Sequence, residues 1–88
     1  MTSKDIVIDK TDGVANRDVA ALVQRAMRFD SEIYLEQANK RINCKSIMGV
    51  LSLGLKNGSE IAVTADGHDE ADAVVDLIKF VNNGFNAI

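Results

Sequence analysis

The sequence predicts an α+β fold, an open-faced β-sandwich in which a four-stranded antiparallel sheet carries its helices on one face. Three observations lead there. Two long segments repeat apolar residues at helical spacing, and short alternating stretches between turn signals complete the order βαββαβα. The 88 residues, 47% hydrophobic and 26% charged, suffice for one core and leave little room for a second. One domain spanning residues 1–88 is expected.

No proline occurs, so Gly, Asn and Asp supply the punctuation. Ile6-Val7-Ile8 is β-branched and runs to the turn signal Asp12-Gly13, which predicts a first strand. From Arg17 to Phe29, Val19, Leu22, Val23, Ala26 and Phe29 recur at helical spacing, with Asp18 at the positive end of the dipole and Arg25 and Arg28 at the negative end. Asn16 is the expected N-cap of this helix. Glu32 to Glu36 alternates, Gln37-Ala38-Asn39 turns, and Lys40 to Asn43 returns with Ile42 inward, which predicts a hairpin. Ser46 then caps a short helix carrying Ile47, Met48, Val50, Leu51 and Leu53, which Gly54 and Lys56-Asn57-Gly58 stop. Glu60 to Asp66 alternates through Ile61, Val63 and Ala65 until Gly67. The last helix opens on Asp69, Glu70 and Asp72, is expected to bury Ala71, Val74, Val75, Ile78 and Val81, and ends at Asn82-Asn83-Gly84.

Charge and composition remove several classes of function. Ten Lys and Arg against thirteen Asp and Glu leave a net charge of −3, the wrong sign for gripping nucleic acid or anionic lipid, so neither partner is expected. The longest uncharged run, Ser46 to Leu55, is far too short to span a bilayer, and Met1 to Lys10 holds no signal-peptide core. A lone cysteine, Cys44, excludes an intramolecular disulfide and fits a reducing, cytoplasmic setting. Its neighbour Lys45 can lower the thiol's pKa, but a lone cysteine at a strand end is more often inert packing, and no function is assigned to it.

The catalytic inventory is thin. His68 is the only histidine and sits in a strand-to-helix corner, Gly67-His68-Asp69, where a solvated role suffices. One histidine and one distant cysteine make no zinc site, and Asp66, Asp69, Glu70 and Asp72 are the acids that a helix N-terminus attracts anyway. The glycines form neither phosphate-binding pattern. No metal, no cofactor and no enzymatic activity are expected.

The most informative stretch is Asn43 to Gly54. The Ser46 hydroxyl can simply cap the short helix, which stabilises it by about 0.5–2 kcal/mol over alanine. A phosphate on the same oxygen would sit at the positive end of that helix, with first-turn amides and Lys45 at hand. Both readings stand on the residues alone. Ile47, Met48 and Leu51 cannot all be buried on so short a helix and offer an apolar patch beside the hydroxyl.

Lys45-Ser46-Ile47-Met48-Gly49-Val50-Leu51-Ser52-Leu53-Gly54 resembles the regulatory-serine segment of the HPr family, the histidine phosphocarriers of the bacterial sugar phosphotransferase system. The similarity extends to the element order, the Asp12-Gly13 turn, Arg17 and the acidic start of the last helix. The family's active motif is Gly, an aliphatic residue, His, Ala, Arg, Pro; this chain has Gly13-Val14-Ala15-Asn16-Arg17-Asp18. The phosphohistidine position is therefore Ala15, whose methyl is no nucleophile. Asp18, in the proline position, favours the helix dipole and repels an incoming phosphate.

A retained serine without the histidine is similar to the Crh-like branch of the family. That resemblance implies a noncatalytic regulator, phosphorylated on Ser46 by an HPr kinase/phosphorylase and acting as corepressor with a LacI-type catabolite control regulator in carbon catabolite repression. By position it makes Arg17 and Lys45 the partner-contacting cations and Ile47, Met48 and Leu51 the docking patch. A true phosphocarrier and an unregulated protein of the same fold are the alternatives.

Overall fold

In the computed structural model, which describes residues 1–87, the chain runs β1 (Thr2–Val7), α1 (Asn16–Ala26), β2 (Glu32–Gln37), β3 (Lys40–Asn43), α2 (Ile47–Ser52), β4 (Glu60–Asp66) and α3 (Glu70–Asn82). This is the order the sequence predicts. The strands lie β1-β4-β2-β3 in one sheet with every neighbouring pair antiparallel. Alternation assigns the faces: Ile33 and Leu35 of β2 and Ile61, Val63 and Ala65 of β4 are buried on one side. Onto that side pack Val19, Leu22, Val23 and Ala26 of α1, Val50 of α2, and Ala73, Val74, Leu77, Phe80 and Val81 of α3, in one continuous core. Among the described residues nothing packs on the other face of the sheet. Among the described residues no helix is long and apolar enough to cross a membrane.

The two long helices are also clamped by charge. The Arg25 guanidinium donates from Nε and one Nη to both carboxylate oxygens of Asp76, each at 2.7 Å, and lies 5.4 Å from the Phe80 ring. This bidentate pair is partly buried, which makes it stronger than an exposed ion pair and fixes α1 against α3. The arginine holds Asp76 below the usual carboxylate range.

Four expectations from the sequence need correction. The first strand starts at Thr2, well before Ile6, because β4 pairs with its polar residues through the backbone, as in Ser3↔Thr64 and Asp5↔Ala62. Ile8 lies past the strand yet still exchanges backbone bonds with Gly58 and Ser59. Helix α1 stops at Ala26, short of Phe29, because the Arg28 and Phe29 amides tighten into bonds three residues back. Its N-cap is Ala15, with Asn16 already the first helical residue.

The fourth correction concerns α3. Of the residues expected inside, Val74 and Val81 are buried, but Ala71 and Val75 are exposed and Ile78 is only half-buried. The observed stripe is Ala73, Val74, Leu77, Phe80 and Val81. Both sets satisfy helical spacing. Leu77 and Phe80 carry more apolar surface than Ala71 and Val75, and their burial sets the rotation of the helix.

Of the glycines, Gly67 makes the tightest approach. A Cβ there would stand 2.6 Å from the Ser31 Oγ and 2.7 Å from the Ser31 Cα, and the second of these is backbone that cannot swing aside. Gly67→Ala is expected to destabilise the fold by about 1–3 kcal/mol, read as a lowered urea midpoint. An unchanged midpoint would mean that the corner opens freely.

Candidate functional site

Ser46 stands where the chain turns from β3 into α2. Asn43 builds this turn by accepting the Lys45 amide on its side-chain oxygen at 2.8 Å and the Ser46 amide on its carbonyl at 3.0 Å. Ser46 is the N-cap, with extended backbone, and its Oγ accepts the Gly49 amide at 3.1 Å while its carbonyl accepts the Val50 amide at 3.0 Å. The predicted cap is present. Gly49 leaves the hydroxyl room, since a Cβ at that position would come within 3.3 Å of Oγ.

The rest of α2 is anchored so that one side must face solvent. Val50 is fully buried, Leu53 nearly so, and the Gln37 side-chain amide donates to the Leu53 carbonyl at 2.8 Å. Ile47, Met48 and Leu51 are then 45%, 78% and 37% exposed. The patch expected beside Ser46 exists. Met27, exposed at the C-cap of α1, is a further apolar side chain on the helical layer that the sequence reading passed over. It follows an amphipathic stripe between Arg25 and Arg28, and only its exposure singles it out.

Lys45 is placed differently from expectation. Its ammonium donates to the Phe29 carbonyl at 2.7 Å, which ties the start of α2 to the chain leaving α1. A phosphate on Ser46 would have to draw it from that bond. Cys44 is fully buried, and burial pushes its thiol up to about 12 against the opposing pull of Lys45. The packing reading of this cysteine is the correct one.

At the start of α1, Ala15 offers no side-chain cap, and Asp18 supplies the missing contact by accepting the Ala15 amide at 2.8 Å. Asp18 is buried and lies 3.4 Å from the Lys10 ammonium. A carboxylate of the chain itself thus occupies the helix end where the family motif has its histidine and proline. Arg17 lies exposed in the first turn beside a cleft of about 560 Å3 lined also by Lys10, Asp12, Asp18 and Phe85, and among the described residues it forms no ion pair. Arg17 lies in α1 and Ser46 caps α2, and the two helices pack together in the same layer.

The acids near α3 serve the fold. Asp69 accepts the Asp30 and Ser31 amides at 2.9 and 3.0 Å and the Ser31 hydroxyl, and these bonds hold its carboxyl down at about 2. Glu70 accepts the Thr2 hydroxyl at 2.6 Å and pairs with the terminal ammonium at 2.8 Å. His68 is exposed and meets Asp30 at 2.9 Å, which raises its pKa above the ordinary value. Asp30, His68 and Asp69 are the one group among the described residues whose ligand atoms all lie within 4.8 Å, and the contacts just given already engage each of them.

Because the ionised form of Asp69 is the bonded one, its contribution to stability is full above its ordinary pKa of 3.8 and disappears as pH falls through about 2. Asp69→Asn is expected to flatten the acid limb of the stability curve across that window. A variant that lost stability in parallel with wild type there would show that these bonds do not favour the ionised carboxyl.

The order βαββαβα and the sheet open on one face make this an α+β open-faced sandwich, with a serine that caps α2. The family model described as "PTS HPr component phosphorylation site" matches residues 2–83, and the chain belongs to the HPr family. It is 41% identical over 81 residues to the HPr-like protein Crh of Halalkalibacterium halodurans, an alignment covering 92% of this chain and 96% of that one. HPr-C-His from Thermoanaerobacter tengcongensis superposes with a TM-score of 0.92 at 36% identity, over 100% of this chain and 99% of that one. The Bacillus subtilis catabolite repression protein Crh, crystallised as a swapped dimer, gives a TM-score of 0.74 at 36% identity, over 89% and 85% of the two chains.

Proposed function

We propose that this chain is a noncatalytic, Crh-like regulator of carbon catabolite repression. An HPr kinase/phosphorylase modifies Ser46, and the phosphorylated form acts as corepressor with a LacI-type catabolite control regulator. The observation that carries this reading is the side-by-side placement of a solvent-reachable N-cap serine and three exposed apolar residues on one short helix. Phosphorylation adds about −1.5 to −2 charge at neutral pH, and a helix N-terminus is where that charge is best tolerated. The fold absorbs the change while the surface next to Ile47, Met48 and Leu51 turns acidic.

The loss of the histidine fits the same reading. Ala15 cannot carry a phosphoryl group, and the Asp18 carboxylate that accepts the Ala15 amide places negative charge at the same helix end. Incubation with ATP and an HPr kinase/phosphorylase, followed by intact-mass analysis, tests this directly. One added phosphoryl group is expected on wild type and none on Ser46→Ala. An unmodified wild type, or a modified Ser46→Ala, would overturn it.

A further inference from the structure

Among the described residues no element covers the open face of the sheet, and its charge is one-sided. The registers Asp5↔Ala62, Val7↔Glu60, Glu32↔Asp66, Tyr34↔Thr64 and Glu36↔Arg41 place Asp5, Glu32, Glu36, Glu60 and Asp66 on that face with a single cationic side chain, Arg41, and the terminal ammonium lies 3.9 Å from Asp66. Five of the chain's thirteen carboxylates and one of its ten cationic side chains therefore lie there, a surplus of four negative charges where the whole chain has three. The carboxylates of the chain are thus concentrated on this face.

The face is not uniformly polar. A trough of about 530 Å3 runs over β1 and β4, lined by Val7 and Ala62 and by the acids Asp5, Glu36 and Glu60. Val7 is 55% exposed on it. Glu36 is shared with Arg41 at 3.5 Å, whereas Asp5 and Glu60 have no ion pair and no side-chain hydrogen bond among the described residues.

We infer that this open face is a second docking surface, fitted to a basic polypeptide segment in which Lys or Arg side chains flank an apolar one. The apolar side chain covers Val7 and Ala62, while the flanking cations reach the free carboxylates of Asp5 and Glu60. A small polycation satisfies the charge but covers no apolar floor, which is why a polypeptide is the better occupant. This surface lies across the sheet from α2, so its occupancy is independent of the state of Ser46.

The probe is a blocked nonapeptide in which Leu alternates with Lys and Arg, titrated into the 15N-labelled 88-residue protein at low salt, with spermine as the non-peptide polycation. Amide shifts are expected at Asp5, Val7, Glu36, Glu60 and Ala62 and not along α2. Asp5→Lys with Glu60→Lys should weaken binding about tenfold or more, about 1.4 kcal/mol, and Val7→Ser about threefold. The milder pair Asp5→Asn and Glu60→Gln should act in the same direction if charge reversal disturbs strand pairing. Phosphorylation of Ser46 should leave the affinity unchanged. Shifts centred on α2, spermine binding as tightly as the peptide, or indifference to every one of these substitutions would overturn the inference.

Discussion

Supplied with phosphoenolpyruvate and the first enzyme of the sugar phosphotransferase system, the wild-type protein is expected to gain no acid-labile phosphate. Ala15 stands at the N-cap of α1 with a methyl group where the family carries its nucleophile, and the sole histidine, His68, is held by Asp30 at a different corner. Restoring the nucleophile should not restore the site. In Ala15→His the new imidazole would neighbour the Asp18 carboxylate, which already accepts the Ala15 amide at 2.8 Å and so occupies an anion-accepting group. That negative charge opposes an incoming phosphoryl group at short range. Ala15→His alone is therefore expected to transfer weakly, and Ala15→His with Asp18→Asn about tenfold faster, a difference of about 1.4 kcal/mol. Labile phosphate on wild type would contradict the missing nucleophile, and equal rates for the single and double variants would remove the electrostatic explanation.

Phosphorylation of Ser46 is expected to tighten binding to a catabolite control regulator about tenfold or more, again about 1.4 kcal/mol. Without phosphate, the exposed Ile47, Met48 and Leu51 offer an apolar contact too small for a lasting complex. With phosphate, a partner presenting a cation beside an apolar groove gains charge-assisted hydrogen bonds that exist only in the modified state. Met48, 78% exposed, has the most surface to bury, so Met48→Asp should weaken the complex even when Ser46 is phosphorylated. Lys45 contributes in a way the sequence does not reveal. Its bond to the Phe29 carbonyl ties the start of α2 to the chain that follows α1, and a phosphate on Ser46 is expected to draw the ammonium away and release that carbonyl.

The order of the elements is legible because it rests on local signals. Turn residues such as Asp12-Gly13 and Gly67, the alternation in β2 and β4, and the capping serine before α2 are each decided within a few positions of the chain. What depends on distant partners is not. The rotation of α3 is set by how Leu77 and Phe80 fit the sheet and α1, and the stripe from Ala71 to Val81 was equally consistent with the helical period. The cap of α1 passes from Asn16 to Ala15 because Asp18, an ordinary dipole-favouring acid by sequence, folds back onto the Ala15 amide. Asp69 is the same case at longer range, an acid at a helix start that is spent on the backbone of Asp30 and Ser31. At the site itself, Ser46 and its apolar neighbours were visible from type and spacing, whereas the destination of the Lys45 side chain, sixteen residues away, was not.

The most direct measurement is a calorimetric titration of a purified LacI-type catabolite control regulator with four forms of the protein: wild type and Met48→Asp, each with and without phosphate on Ser46. Phosphorylated wild type should bind about tenfold or more tightly than the other three. Equal affinity of wild type with and without phosphate would contradict a switch at Ser46, and full affinity of phosphorylated Met48→Asp would contradict docking through the α2 patch.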